Sequence, residues 1–365
     1  MFSYDKQIQA YENEKVKLPK SKQDELYKRR TANRNRLIEN LPEEINIADS
    51  HFIPQGSMAI DTTIQEENEN YDIDDGVWFY QEDLIDESSG SSKSVDEVKK
   101  MIKDAVSKGI SFKKSPKIMD NCVRVFYDVG YHVDVASYRA FDVGEDNERK
   151  ELAGETGWKE SYPTEITKWF ENRIESLNKT KDNLGGQMRR LVKLLKRFAR
   201  SRGDSWDMPN GLKLIMLVDE CMPTGYERYD ESFYWLLLNL SNRLSNNLEV
   251  ENRAQQPPRD KLTESTQDSN MLEFRNHINE ALDILAIILN ESKCTKKAAR
   301  EAWDWIFKTD GFFDSFDEEE ERAKEMAEAL RSGTLGITQS GALILGNSSN
   351  ATKVPPTKFY GKMTN

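Results

Sequence analysis

The segment from Pro54 to Tyr80, PQGSMAIDTTIQEENENYDIDDGVWFY, holds a Gly-Ser turn, a polar linker and two aspartates one residue apart. In an extended strand alternate side chains share a face, so Asp72 and Asp74 point together while Ile73 enters the core. Adjacent carboxylates repel, and without a cation at least one would bind its proton more tightly, so the pair asks for a divalent metal. A Gly-Ser turn opening a helix offers backbone N–H groups and a hydroxyl to phosphate oxygens. Alone, Gly56-Ser57 would read as an ordinary turn. Fourteen residues separate Ser57 from Asp72, which leaves room for one short helix and a loop back into a sheet.

A third carboxylate stands on the clearest hairpin of the chain, NCVRVFYDVGYHVDVASY over 121–138. Val123, Val125 and Tyr127 share one face of its first strand; Val133 and Val135 share one face of the second, with His132, Asp134 and Ala136 on the other. A lone aspartate in an apolar strand is expensive to bury and should reach water or a metal. Asp72, Asp74 and Asp134 are hard oxygen ligands suited to Mg2+, the remaining positions being left to water and substrate phosphate. Two ions so bridged would support an in-line displacement, one lowering the pKa of an attacking hydroxyl and the other clamping a triphosphate and its leaving pyrophosphate. Asp75 falls on the opposite face and reads as a strand-end or turn acid.

A cationic counterpart lies further along. From Lys181 to Arg202 there are eight Lys or Arg against one acid, Asp182. Leu191, Leu194, Leu195 and Phe198 take helical spacing, with Arg189, Lys193, Lys196 and Arg200 on a separate stripe. One face packs and the other should present cations.

At 365 residues and 37% hydrophobic content the chain can bury a sizeable core and is expected to form two lobes. The net charge of −12 argues against a coat for duplex DNA, whose nonspecific affinity comes from neutralising phosphates. No apolar run approaches a bilayer span, and the start lacks a signal core, so no membrane and a cytoplasmic location are expected. Cys122, Cys221 and Cys294, like His51, His132 and His277, are scattered, without zinc spacing or a disulfide framework, and read as buried thiols of a reducing compartment.

The elements that must position these residues divide by pattern. Residues 21–41 read as a charged helix stopped by Pro42, and His51–Pro54 as a short extended entry to the turn. Ser94 and Glu97 form a capping box ahead of a helix that Gly109 ends. The polar linker from Gln65 to Asn70 and the Ser-rich stretch after Tyr80 are expected loops. From Pro163 onward helical spacing dominates, over 163–177, 184–202, 210–222, 230–247, 271–291, 294–308 and 318–331, with a loop at 251–270. A boundary is expected in the polar stretch Gly144–Trp158, giving a catalytic lobe over 1–150, a helical lobe over 151–332 and a flexible tail over 333–365.

GSMAIDT, then DIDDGVWF, then YHVDVASY resembles the bacterial cGAS/DncV-like nucleotidyltransferases, which make cyclic oligonucleotide signals in antiphage defence. The resemblance covers roughly residues 50–222. It implies an α+β fold, a polymerase-beta-like nucleotidyltransferase lobe with a mixed sheet joined to a helical lobe, with a nucleotide cleft between them. It implies that Asp72, Asp74 and Asp134 are catalytic and bind two Mg2+ ions, with Mn2+ as a replacement, and that Gln55, Gly56 and Ser57 contact a donor triphosphate. Lys193 aligns with a lysine of the family's basic helix, and Arg124 looks like an arginine that approaches a base. Two departures stand out. Asn210-Gly211 replaces a serine that opens the next helix to hold phosphate, making Asn210 the residue at that place. Ile60 stands where an aromatic residue near the donor base is common.

The expected activity is stepwise joining of NTPs, foremost ATP and GTP, into a cyclic dinucleotide such as cyclic GMP-AMP with release of pyrophosphate; a cyclic trinucleotide is the variant. Expected partners are the NTPs, operon-encoded regulators including a ubiquitin-like conjugation enzyme acting on the C-terminus, and a nucleotide-gated effector reached through the product. The missing Cys/His cluster speaks against DNA activation. The alternatives are nucleotidyl transfer to a drug, a protein or an RNA end, and a catalytically inactive nucleotide-binding protein.

Overall fold

In a computed structural model the protein is described over residues 1–66, 71–86, 90–109, 113–127, 130–180, 182–338, 343–345 and 351–355. Its contacts fall into two compact units, Met1 with Ser3–Ala286, and Phe2 with Ile287–Asn365.

The first unit begins with helices α1 (Asp5–Tyr11) and α2 (Lys20–Asn40), the latter ending just before Pro42. Strand β1 (Phe52–Pro54), the short helix α3 (Gly56–Ala59) and strand β2 (Asp72–Tyr80) follow. Helix α4 (Val95–Ser107) opens with the predicted capping box: the Glu97 backbone N–H donates to Ser94 Oγ at 3.3 Å, and Glu97 Oε2 accepts from the Ser94 backbone N–H at 2.8 Å. Strands β3 (Lys117–Ile118), β4 (Val123–Phe126), β5 (His132–Phe141), β6 (Arg149–Ala153) and β7 (Trp158–Ser161) complete a sheet. Helices α5 (Glu165–Asn178), α6 (Gly185–Arg200), α7 (Gly211–Cys221), α8 (Tyr229–Asn246) and α9 (Ser269–Leu289) then follow within two or three residues of where the periodicity puts them.

The sheet runs β1-β2-β5-β4-β3, with β6 on β5 and β7 on β6. Among the described residues only β2 and β5 pair in parallel, and this pairing sets Asp74 against Asp134 and Asp72 against His132. The long strand β5 serves two partners: its first half pairs with β4, its second with β6. Alternation separates the two faces. Ile73, Val77, Val133 and Val135 join Leu26 and Leu37 of α2 and Val98 and Ile102 of α4 in one core. Each such buried aliphatic side chain contributes about 1.5–3 kcal/mol. The opposite face carries Asp72, Asp74 and Asp134, and further along Trp78 and Tyr138.

Asp75 lies on the core face, as alternation requires, but it is not a strand-end acid. It is 2% exposed, and Arg34 of α2 grips both its oxygens, with Nε donating to Oδ2 at 2.7 Å. Burial pushes its carboxyl up, and Arg34 opposes that. The polar stretch Gly144–Trp158 holds β6 and the start of β7, where ion pairs replace apolar packing: Glu151 accepts from Arg139 and Arg149. A strand whose side chains are satisfied by ion pairs needs no apolar alternation, so this segment reads as linker in sequence.

The second unit contains α10 (Lys296–Phe307), α11 (Asp314–Ser332) and a three-stranded antiparallel sheet, β8 (Leu335–Thr338), β9 (Leu343–Leu345) and β10 (Ala351–Lys353), in the order β10-β8-β9. These strands lie in the segment expected as tail; its residues 339–342, 346–350 and 356–365 lie outside the described residues, as do 67–70 of the polar linker and 87–89 of the Ser-rich stretch. Among the described residues no helix is long and apolar enough to cross a membrane.

Candidate active site

The turn after β1 is built around a close approach. Strand β1 pairs antiparallel with β2, bringing Pro54 opposite Asp75, and the Gln55 N–H donates to the Asp74 carbonyl at 3.3 Å. The chain then enters Gly56 at φ +68°, where a Cβ would lie 1.8 Å from Asp74 Oδ2. Both the left-handed backbone and the carboxylate demand glycine here. Ser57 Oγ is 2.7 Å from Thr63 Oγ1, which fixes the hydroxyl. The helix that follows has four residues. Its dipole is therefore small, and what the turn offers an anion is local N–H groups and a hydroxyl rather than the helix field expected from sequence.

Asp72 and Asp74 face the same side as Asp134 on the adjacent parallel strand. Burial, with the negative charges of Asp72 and Asp134, pushes the Asp74 carboxyl up to about 7, against the pull of Arg124 and Lys196. A carboxylate so raised is short of positive charge, and hard oxygen donors in that condition fit a divalent ion. Asp134 is occupied differently. Arg124, directly opposite on β4, donates from Nε to Oδ1 at 2.8 Å and from a terminal nitrogen to Oδ2 at 2.6 Å. As the side chains stand, no three His, Cys, Asp or Glu groups among the described residues converge to hold a metal ion. Asp72 and Asp74 thus fit an ion directly, and Asp134 fits once its partner moves. The nearby Cys122 thiol is pushed up to about 12 by burial and by Asp134, which keeps it protonated and inert.

Helix α6 buries the two lysines of its cationic stripe, while Arg200 at its end stays exposed. Lys193 and Lys196 are each 4% exposed, because the stripe holds the segment that follows the Gly-Ser turn. Arg189 Nε donates to the Ile60 carbonyl at 3.4 Å, Lys193 Nζ to Asp61 Oδ1 at 3.2 Å, and Lys196 Nζ to the carbonyl and hydroxyl of Thr62, both at 3.1 Å. Arg200 pairs with Glu66. Burial, reinforced by the like charge of Arg200, pushes the Lys196 ammonium down to about 7.

These parts surround a cleft of about 430 Å3. Gln55, Gly56, Ser57, Asp72 and Asp74 line it, together with Lys196 and Arg200 from α6. Tyr162 and Ile166 supply an apolar wall from the start of the helical region. Asp134, Arg124, Lys193 and Asn210 are not among its lining residues: the first two bind each other, Lys193 binds Asp61, and Asn210 caps α7 by accepting from the Lys213 N–H at 3.1 Å. Gly211, beside that cap, makes room for Lys196, whose Cε would lie 3.2 Å from a Cβ there.

Two lining residues were not among the expected site residues although a signal existed. Lys196 is one helical turn beyond Lys193 on the stripe already identified. Tyr138 stands four residues beyond Asp134, hence on the same strand face. It accepts from Gln55 Nε2 at 2.9 Å and its hydroxyl lies 3.2 Å from Gln55 Oε1, while burial pushes its phenol up to about 12. For Tyr162, more than a hundred residues from the Gly-Ser turn, no local pattern pointed to the cleft.

The chain is similar to several known proteins. Residues 50–138 match the family described as "Cyclic GMP-AMP synthase DncV-like, nucleotidyltransferase domain". A cyclic GMP-AMP synthase of Escherichia albertii is 26% identical over 231 residues, covering 60% of this chain and 48% of that protein, so the chain spans about half the length of this relative. Among solved structures, Vibrio cholerae DncV cyclic AMP-GMP synthase in complex with nonhydrolyzable GTP superposes with a TM-score of 0.63 at 14% identity, covering 84% of this chain and 96% of the other. The CdnC:HORMA-deltaN complex of E. coli MS115-1 gives 0.60 at 18% identity over 83% and 96%. The α+β fold, with its mixed sheet and helical C-terminal region, is the polymerase-beta-like fold of these solved structures, and residues 50–138 match the DncV-like nucleotidyltransferase-domain family.

Proposed function

We propose that the protein is a cyclic oligonucleotide synthase, joining NTPs into a cyclic dinucleotide with release of pyrophosphate at each step. ATP and GTP are the proposed substrates, cyclic GMP-AMP the proposed product, and antiphage signalling the proposed role. The observation that carries this reading is the approach of Gly56 to Asp74, which sets the Gly-Ser turn directly against the carboxylates of a two-strand acidic face.

In this reading residues 1–150 form the catalytic lobe, with β6 and β7 continuing its sheet to Ser161, residues 151–332 supply the helical lobe, and 333–365 the tail in which β8–β10 lie. Gln55, Gly56 and Ser57 bind the donor triphosphate, held by Tyr138 and Thr63 respectively at Gln55 and Ser57. Lys196 neutralises triphosphate charge from the opposite wall, with Lys193 and Asn210 fixing the segments on either side of it. The apolar surface of Ile60, Tyr162 and Ile166 takes a base. Asp72, Asp74 and Asp134 would hold two Mg2+ ions, or Mn2+, which supply Lewis-acid neutralisation of phosphate and lower the pKa of the attacking ribose hydroxyl. Asp134 orients that hydroxyl and accepts its proton.

Incubation with labelled NTPs and Mg2+, followed by mass spectrometry of the phosphatase-treated product, tests the reading. A small phosphatase-resistant product that disappears in the Asp72→Ala, Asp74→Ala variant is expected. Label on a macromolecule, or synthesis retained by the variant, would overturn it.

A further inference from the structure

The fork between Arg124 and Asp134 bears on how the site loads. The two residues are directly opposed across antiparallel strands, and a planar guanidinium takes both oxygens of the carboxylate, the strongest form of this ion pair. Asp134 has 10% of its side chain exposed and Arg124 28%, so the arginine has solvent to move into whereas the aspartate is fixed by its strand. Across the parallel pairing Asp74 faces Asp134, yet among the described residues no three-ligand set is assembled. A second group waits at the same oxygen. His132 Nε2 is buried, has no hydrogen-bond partner, and lies 4.0 Å from Asp134 Oδ2.

We infer that Arg124 is a resident counter-ion of Asp134 that a divalent cation displaces, so that the third carboxylate joins Asp72 and Asp74 only by exchange of one cation for another. This rests on the reading of the three aspartates as metal ligands. A buried carboxylate left without a counter-charge is costly, so a preformed empty three-carboxylate site would destabilise the fold. Arg124 removes that cost while the metal is away. When the ion arrives, the guanidinium swings outward, and His132 Nε2 is placed to restore a hydrogen bond to Asp134. Metal loading is thereby weaker than the three carboxylates alone would give, and it is coupled to release of one arginine.

The full chain, with arginine guanidinium groups isotopically labelled, tests this with Mg2+ alone. The Arg124 Hε resonance, assigned by its loss in Arg124→Lys, should be shifted downfield and protected in the metal-free protein and should lose both properties as Mg2+ is added. Mn2+ binding followed by electron paramagnetic resonance should tighten on the order of tenfold in Arg124→Gln, about 1.4 kcal/mol. Arg124→Lys, which keeps a charge near Asp134 without the fork, should fall between and guards against misfolding of the Gln variant. The gain should vanish when Asp134→Asn is added. Mn2+ binding by the wild type with an unmoved Arg124 resonance, or unchanged affinity in folded Arg124→Gln, would overturn the exchange alone. Binding by the wild type that survives Asp72→Asn, Asp74→Asn, or no Mn2+ binding by the wild type or Arg124→Gln, would overturn the metal-site reading and the exchange with it.

Discussion

Gly56 passes so close to Asp74 that a single methyl group on its α-carbon would overlap the carboxylate, 1.8 Å from Oδ2. The contact joins the turn proposed to hold phosphate to the acid proposed to hold metal. Gly56→Ala must relieve both a left-handed backbone, at about 1–2 kcal/mol, and this clash. The cheapest relief moves Asp74. The expected outcome is product synthesis reduced at least about a hundredfold, with a melting temperature lowered by only a few degrees. Full activity in a folded Gly56→Ala protein would show that the turn and the acid are not coupled.

Arg34 and Asp75 tie helix α2 to the back of strand β2. Removing the arginine leaves a buried charge, which costs about 3–5 kcal/mol. Arg34→Ala should therefore lower the denaturant midpoint sharply, whereas Arg34→Met with Asp75→Leu should recover most of the loss. Equal damage in the single and double variants would mean that the pair is dispensable and the site merely intolerant of substitution.

The fold and the site differed in how far they could be read from the residues. Strand faces were legible because a period of two leaves little freedom: Ile73, Val133 and Val135 had to be inside once Asp72, Asp74 and Asp134 were together on the other side. Helices α2 and α4 were legible through Pro42 and the Ser94-Glu97 capping box. Charge partners were not. Nothing local to Asp75 announces Arg34, forty-one positions earlier, and nothing local to Lys193 distinguishes a cation facing a cleft from one folded onto Asp61. Both depend on which segments the tertiary fold brings alongside. Polar strands such as β6, which lies between β5 and β7, are missed for a related reason, since ion pairs such as Arg139 with Glu151 replace the apolar alternation that marks a strand.

Tyr138 is a positioning residue for Gln55. Its hydroxyl both accepts from and approaches the amide, and Gly76 leaves the space in which they meet, a Cβ there lying 2.9 Å from Gln55 Nε2. Tyr138→Phe removes one buried hydrogen bond, about 0.5–1.5 kcal/mol. If Gln55 binds ground-state triphosphate, KM should rise severalfold with kcat little changed, and Gln55→Ala should make the Tyr138→Phe effect disappear. Independent, additive losses in the double variant would break the proposed link.

Lys196 gives the site a distinctive proton balance. Buried against Thr62 and near Arg200, it titrates at about 7 rather than in the ordinary lysine range. Its folded pKa is depressed, so the free protein binds fewer protons than the unfolded chain from about pH 7 up to the normal lysine range, and stability gains from this group as pH rises through that window. A polyanion reverses the preference by favouring the ammonium. NTP binding at pH 8 without metal should therefore take up close to one proton, measured by calorimetry in buffers of different ionisation enthalpy. Lys196→Met should abolish the uptake and weaken binding most below pH 7, where the wild-type lysine is already charged. Proton-neutral binding by the wild type would remove Lys196 from the triphosphate site and leave it a structural tether of the Thr62 segment.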